Sequence, residues 1–115
     1  MGSTINLSGP GILPLFMADT GANTTATLVK VPPFHQVTVQ SAAALYVFAG
    51  LSAGDSVPAA NRMEFDASAA AAGITFSVGG AEAGTSHASI CVALQSGTGT
   101  IRCGVEPPIV NKGQS

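Results

Sequence analysis

From residue 26 onward the chain is a series of short β-prone runs, each closed by a breaker. Ala26 to Val31 ends at Pro32-Pro33, and Gln36 to Gln40 alternates polar and apolar residues. Leu45-Tyr46-Val47-Phe48 is apolar on both faces and reads as a central strand. Arg62 to Asp66 alternates with Met63 and Phe65 inward, and Ile74 to Val78 alternates most cleanly. Ser89 to Leu94 places Ile90, Val92 and Leu94 on one face, and Thr100 to Val105 places Ile101, Cys103 and Val105 on one face. A period of two is the signature of a half-buried strand. Turn signals at intervals of about 8–12 residues belong to a sandwich or small barrel. The fold class expected is all-β: an antiparallel β-sandwich, jelly-roll or immunoglobulin-like, with an extended N-terminal arm.

The connections carry less information. Ser96-Gly97-Thr98-Gly99 reads as a short hairpin loop joining the last two strands. Asp55 to Asn61 reads as a loop containing proline, and Gly79-Gly80 opens a longer one. Ala67 to Ala72 has high helix propensity, but a run this short before Gly73 sustains one helical turn or an irregular crossing at most.

Residues 1–25 look different. Ser8-Gly9-Pro10-Gly11 is a breaker, and Ile12-Leu13-Pro14-Leu15-Phe16-Met17 sets five apolar residues around a proline. Proline disfavours a helix interior and a central strand alike. Two readings follow: an edge strand over the chain's own core, or an arm reaching another subunit. In the second, Ile12, Leu13, Leu15, Phe16 and Met17 are the interface anchors. The organisation expected is an arm over 1–25, a sandwich domain over 26–106 and a tail over 107–115.

Composition bears on what such a domain does. Charged residues make up 9% of the chain, against about 25% in an ordinary soluble domain. Ala, Gly, Ser and Thr supply nearly half of the 115 residues. A small domain normally keeps a charged surface to stay soluble and apart. A chain without one is expected to place much of its surface against other protein. Lys30, Arg62, Arg102 and Lys112 are scattered, so no basic stripe meets the phosphates of a nucleic acid. No apolar stretch is long enough to span a bilayer, and neither a membrane nor a nucleic acid is expected as a partner. The N-terminus lacks the pattern of a secretory signal, which points to synthesis and folding in a cytoplasm.

Catalytic and metal chemistry finds little support. Cys91 and Cys103 are too few for a zinc site and read as reduced, half-buried thiols on neighbouring strands. His35 and His87 stand in loops without carboxylate or thiolate company. No cofactor, metal or catalytic residue is assigned, and the chain is read as a non-enzyme.

Two resemblances bear on function. Asp19-Thr20-Gly21-Ala22, after Leu15-Phe16-Met17, resembles the active-site loop of retroviral-type aspartic proteases. That resemblance implies a dimer in which two Asp19 carboxylates share a proton. The later Gly-Arg-Asn or Gly-Arg-Asp element of that family is missing: Val78-Gly79-Gly80-Ala81-Glu82 stands there, and Asp-Thr-Gly also reads as a polar turn. Over most of its length the chain resembles small virion structural proteins of tailed bacteriophages, of the capsid decoration or cement type. The features that carry this are the small-residue composition, the apolar stretch Ile12 to Met17 and alternating runs such as Gln36 to Gln40 and Ile74 to Val78. It implies a particle-stabilising protein in the virion, assembled in the host cytoplasm. Its partners would be itself, commonly as a trimer, and the major capsid protein or another virion protein. A sandwich that binds a receptor or carbohydrate through its loops is the alternative from a different class.

Overall fold

The computed structural model describes residues 4–7, 16–49 and 52–106. In chain order the elements are β1 (Thr4–Asn6), β2 (Phe16–Ala22), β3 (Thr27–Val31), β4 (Gln36–Ser41), β5 (Leu45–Phe48), β6 (Arg62–Phe65), α1 (Ala67–Ala72), β7 (Ile74–Ser77), β8 (Ala88–Leu94) and β9 (Gly99–Glu106). Sheet A has the order β1-β3-β8-β5-β6, and sheet B has the order β2-β9-β4-β7. The two sheets pack face to face as an all-β sandwich.

The alternation seen in the sequence decides which side chains enter the core. Val29 and Val31 of β3, Val37 and Val39 of β4, and Ile101, Cys103 and Val105 of β9 all point inward and are buried. Leu45 and Val47 of β5 and Val92 and Leu94 of β8 complete the other wall. These side chains are mostly β-branched and suit a pleated, buried surface. The predicted runs from Ala26 onward match β3 to β9 closely, and Leu45 to Phe48 is an interior strand, with β8 on one side and β6 on the other.

The strand pairing is nested. β5 pairs with β6, β4 with β7, β3 with β8 and β2 with β9, all antiparallel. The chain behaves like one long hairpin with its tip between β5 and β6, rolled until alternate pairs fall into different sheets. The expectation of purely antiparallel pairing needs one correction: β1 lies parallel to β3, with Ile5 opposite Val29. β1 is joined to β3 through β2 in the other sheet, so no tight turn forces the antiparallel sense.

The described parts of residues 1–25 form strands in the two sheets, and no arm is seen among them; residues 8–15 lie outside the described residues. β1 pairs along β3, β2 pairs along β9, and Ile5, Leu7 and Ala22 are buried in the core. Burial of these side chains and ladder bonds to both neighbours hold the segment in place. The loop 96–98 is no hairpin either: it carries the chain from Leu94 in sheet A to Gly99 in sheet B. The same Gly-rich turn chemistry serves a sheet-to-sheet crossing, with Gly97 at φ 71°.

The six-residue α1 makes another of the crossings between the sheets, from β6 at the edge of sheet A to β7 at the edge of sheet B. It survives at this length because both ends are tied. The Asp66 carboxylate accepts from the Ala69 amide at 2.8 Å, and Gly73, at φ 95°, donates its amide to the Ala70 carbonyl. Ala70 is buried in the core, and the Gln40 side-chain amide donates to the Ala71 carbonyl at 2.8 Å.

Candidate functional site

The outward faces of the two sheets differ, and the difference locates the exposed surface that can meet a partner. On sheet A the outward residues Phe48 of β5 and Cys91 and Ala93 of β8 are buried, while Tyr46 and Ser89 on the same face are half-buried. The loop that follows residue 51 lies over them and presses Val57 onto the cluster. Backbone bonds from Ala26 to the Asp55 carbonyl and from Gly54 to the Ala26 carbonyl, each 2.8 Å, pin that loop. Farther along the same face the Arg62 guanidinium stacks over the Tyr46 ring at 4.2 Å and pairs with Glu64 at 3.2 Å.

Sheet B has no such cover among the described residues. Its outward side chains fall into three rows across the strands. The middle row runs Phe16, Gly104, Thr38, Thr75. One flanking row is Ala18, Arg102, Gln40, and the other is Glu106, Gln36, Ser77. Among the described residues Arg102 and Glu106 are the only charges on it; the remainder is small or neutral. Phe16 stands 57% exposed beside Gly104, which offers no side chain to cover it. Where this face meets α1 lies a shallow groove of about 480 Å³, lined by Gln40, Ala43, Ala71, Thr100 and Arg102.

Of the five interface residues expected from the sequence, Ile12, Leu13 and Leu15 lie outside the described residues. Phe16 and Met17 open β2, 57% and 38% exposed. Phe16 belongs to the outward face, while Met17 pairs with Cys103 and so lies on the inward side at the sheet's edge.

Three features escaped sequence reasoning. Met63 was read as inward. It does share a face with buried Val47, yet it is 47% exposed, because the sandwich gapes between β6 and β7. That cleft, about 400 Å³, is lined by Val47, Met63, Phe76 and Ile90 with Arg62 and Ser89 at its polar margin. Next, Phe34 is 66% exposed at the tip of the Pro32–His35 turn, with φ at 63°. A bulky side chain rarely sits there; its ring lies against Gly80, where an added Cβ would come within 3.3 Å. The third is the outward face of sheet B, whose pattern depends on strand order and has no signal in the linear chain.

Asp19 has a structural use. Its Oδ2 accepts from the Thr27 hydroxyl at 2.8 Å, and its Oδ1 accepts from the Gly21 amide at 3.0 Å. Thr27 is fully buried on sheet A, so the carboxylate tethers the edge of sheet B to its neighbour. This satisfies a hydroxyl that burial would otherwise leave without a partner.

The two cysteines lie in different sheets and are both free and buried, Cys91 under the loop of sheet A and Cys103 in the main core. Sequence adjacency of their strands had suggested neighbours; the crossing at 96–98 separates them. Burial pushes the Cys91 thiol up to about 11, helped by the Asp55 and Glu82 carboxylates. Burial, with the Asp19 charge beside it, pushes Cys103 up to about 12. Both stay protonated at neutral pH and are poor nucleophiles. The His35 ring contacts the Pro33 carbonyl and the His87 ring the Ala88 carbonyl. Among the described residues no group of three or more His, Cys, Asp or Glu is placed to hold a metal ion.

No protein-family model, curated protein or solved structure matches this chain.

Proposed function

We propose that this chain is a non-enzymatic structural protein of a viral particle, a capsid decoration or stabilising protein that acts through contacts with its own copies and with capsid protein. The observation that carries the reading is the outward face of sheet B, uncovered among the described residues, nearly uncharged and with Phe16 exposed on it. Such a face is cheap to desolvate, since few ionic groups must leave water. The nested pairing favours a jelly roll over an immunoglobulin-like sandwich. Setting β1 aside, it makes two four-stranded sheets from eight strands whose partners are first with last, second with second-last, and so inward. Viral capsid domains are among the users of that architecture, though the architecture alone names no function.

Capsid shells prepared without this protein test the proposal. The purified chain is expected to pellet with the shells and to raise the temperature at which they break open, followed by electron microscopy. A chain left in the supernatant at every concentration overturns it.

Phe34 favours one second reading, a loop-based module for a receptor or carbohydrate. An exposed aromatic held in a strained turn is a plausible ring platform. Glycan-array binding that disappears in Phe34→Ala would support that module instead.

A further inference from the structure

The outward face of sheet B is complementary to itself, and we infer that a second copy of this chain packs on it about a two-fold axis. The axis lies in the interface and crosses the strands along the Phe16, Gly104, Thr38, Thr75 row. This inference rests on the assembly reading above and specifies the contact between copies.

Turning one sheet over about that axis returns each strand to its own position and exchanges the two flanking rows. Arg102 then faces Glu106 of the partner subunit, and Glu106 faces the partner's Arg102. Gln40 meets the partner's Gln36, and Phe16 meets the partner's Phe16. Arg102 and Glu106 sit on the same face of β9, four residues and so roughly 13 Å apart. Among the described residues the one ion pair is Arg62 with Glu64, which leaves these two charges for a contact outside the chain. The other in-plane axis runs along the strands. Laid over β9, it sets Arg102 against Arg102 and Glu106 against Glu106, and like charges face to face oppose association. Laid over the sheet's midline, between β9 and β4, it sets Arg102 against the partner's Gln40 and Glu106 against the partner's Gln36, and neither charge meets its opposite. The axis across the strands is the one that pairs both charges with their opposites.

The middle row suits the close centre of such a contact. Gly104 has no side chain, and the Thr38 and Thr75 hydroxyls bond each other at 2.9 Å, so they enter the interface already partnered. Phe16, exposed at the edge, gains an aromatic neighbour. Four strands span only about 19 Å, which places the contact in the small, reversible class.

Sedimentation velocity on the full chain over a concentration series tests this. The wild type is expected to show a reversible dimer that weakens with added salt. Arg102→Glu puts two acidic groups together twice and is expected to weaken the dimer by about tenfold or more. Adding Glu106→Arg exchanges the charges and is expected to restore it. Both positions are exposed, and circular dichroism checks that the variants fold. A chain monomeric throughout, a trimer, or an oligomer equally strong in the single and double variants overturns the inference. Capsid pelleting by a chain that ignores the charge exchange removes this contact and leaves the particle reading standing. A dimer rescued by the exchange with no capsid pelleting does the reverse.

Discussion

On sheet A the outward residues Phe48, Cys91 and Ala93 have a loop closed over them; on sheet B the outward residues Thr38, Gln40, Thr75 and Arg102 meet solvent. Both faces come from strands with the same two-residue period. What separates them is the filling of the outward positions. Where they are apolar, the chain spends a loop to cover them and makes a second small core. Where they are small and neutral, the face stays open without the dense charge that normally keeps an open face solitary. A surface can thus be exposed in the monomer and still be suited to burial, provided its polar groups satisfy one another or meet complements on a partner.

The strongest attack on this contrast removes the covered aromatic. Phe48→Ala is expected to destabilise the chain by about 3–5 kcal/mol in urea denaturation, as for a core phenylalanine. Thr75→Ala on the open face is expected to stay within about 0.5 kcal/mol. Equal effects at the two sites would mean that sheet A's cover is no core at all.

A smaller effect is expected where the two sheets are tied together. Asp19→Ala strands the buried Thr27 hydroxyl and should cost about 1–3 kcal/mol. Removing both partners in Asp19→Ala with Thr27→Val should recover part of that loss. A double variant less stable than the sum of the two singles would contradict the tether.

The thiols sharpen the comparison with the smallest and most specific signal. Cys91 is outward-facing on sheet A yet buried, and its raised pKa reports the cover. A thiol with a raised pKa keeps its proton when folded at a pH where the unfolded chain has lost it. Its contribution to stability is intact below pH 9.0 and is lost as pH rises to about 11 for Cys91 and about 12 for Cys103. The slope is at most about 1.4 kcal/mol per pH unit for each thiol. Denaturation midpoints of wild type and Cys91→Ala, compared from about pH 8 to about pH 11, should show a shallower alkaline fall in the variant. Parallel curves would place Cys91 in contact with water.

Much of the sandwich was legible because alternation records which side of a strand is wet. Val37 and Val39 against Thr38 and Gln40 could be sorted without coordinates, and the alanine run ending at Gly73 marked a helical turn. β2 was not legible as a strand of the sandwich. Only Ala22 of its seven residues is buried, so Phe16 to Ala22 shows no wet and dry sides. Phe16 and Met17 were picked out by their apolar character, but the face each occupies follows from pairing with Gly104 and Cys103.

Local chemistry by itself determined where β3 to β9 run, which of their residues face inward and that the chain is poor in charge. Those properties depend on neighbours a few residues away. Tertiary structure alone decided that 96–98 crosses between sheets, that Cys91 and Cys103 are parted, and that Arg102 and Glu106 share an open face with Phe16 between their rows. The physical reason is that a period of two names a side for each residue but leaves open which strand lies beside which. That choice is made by fitting all the apolar sides into one core.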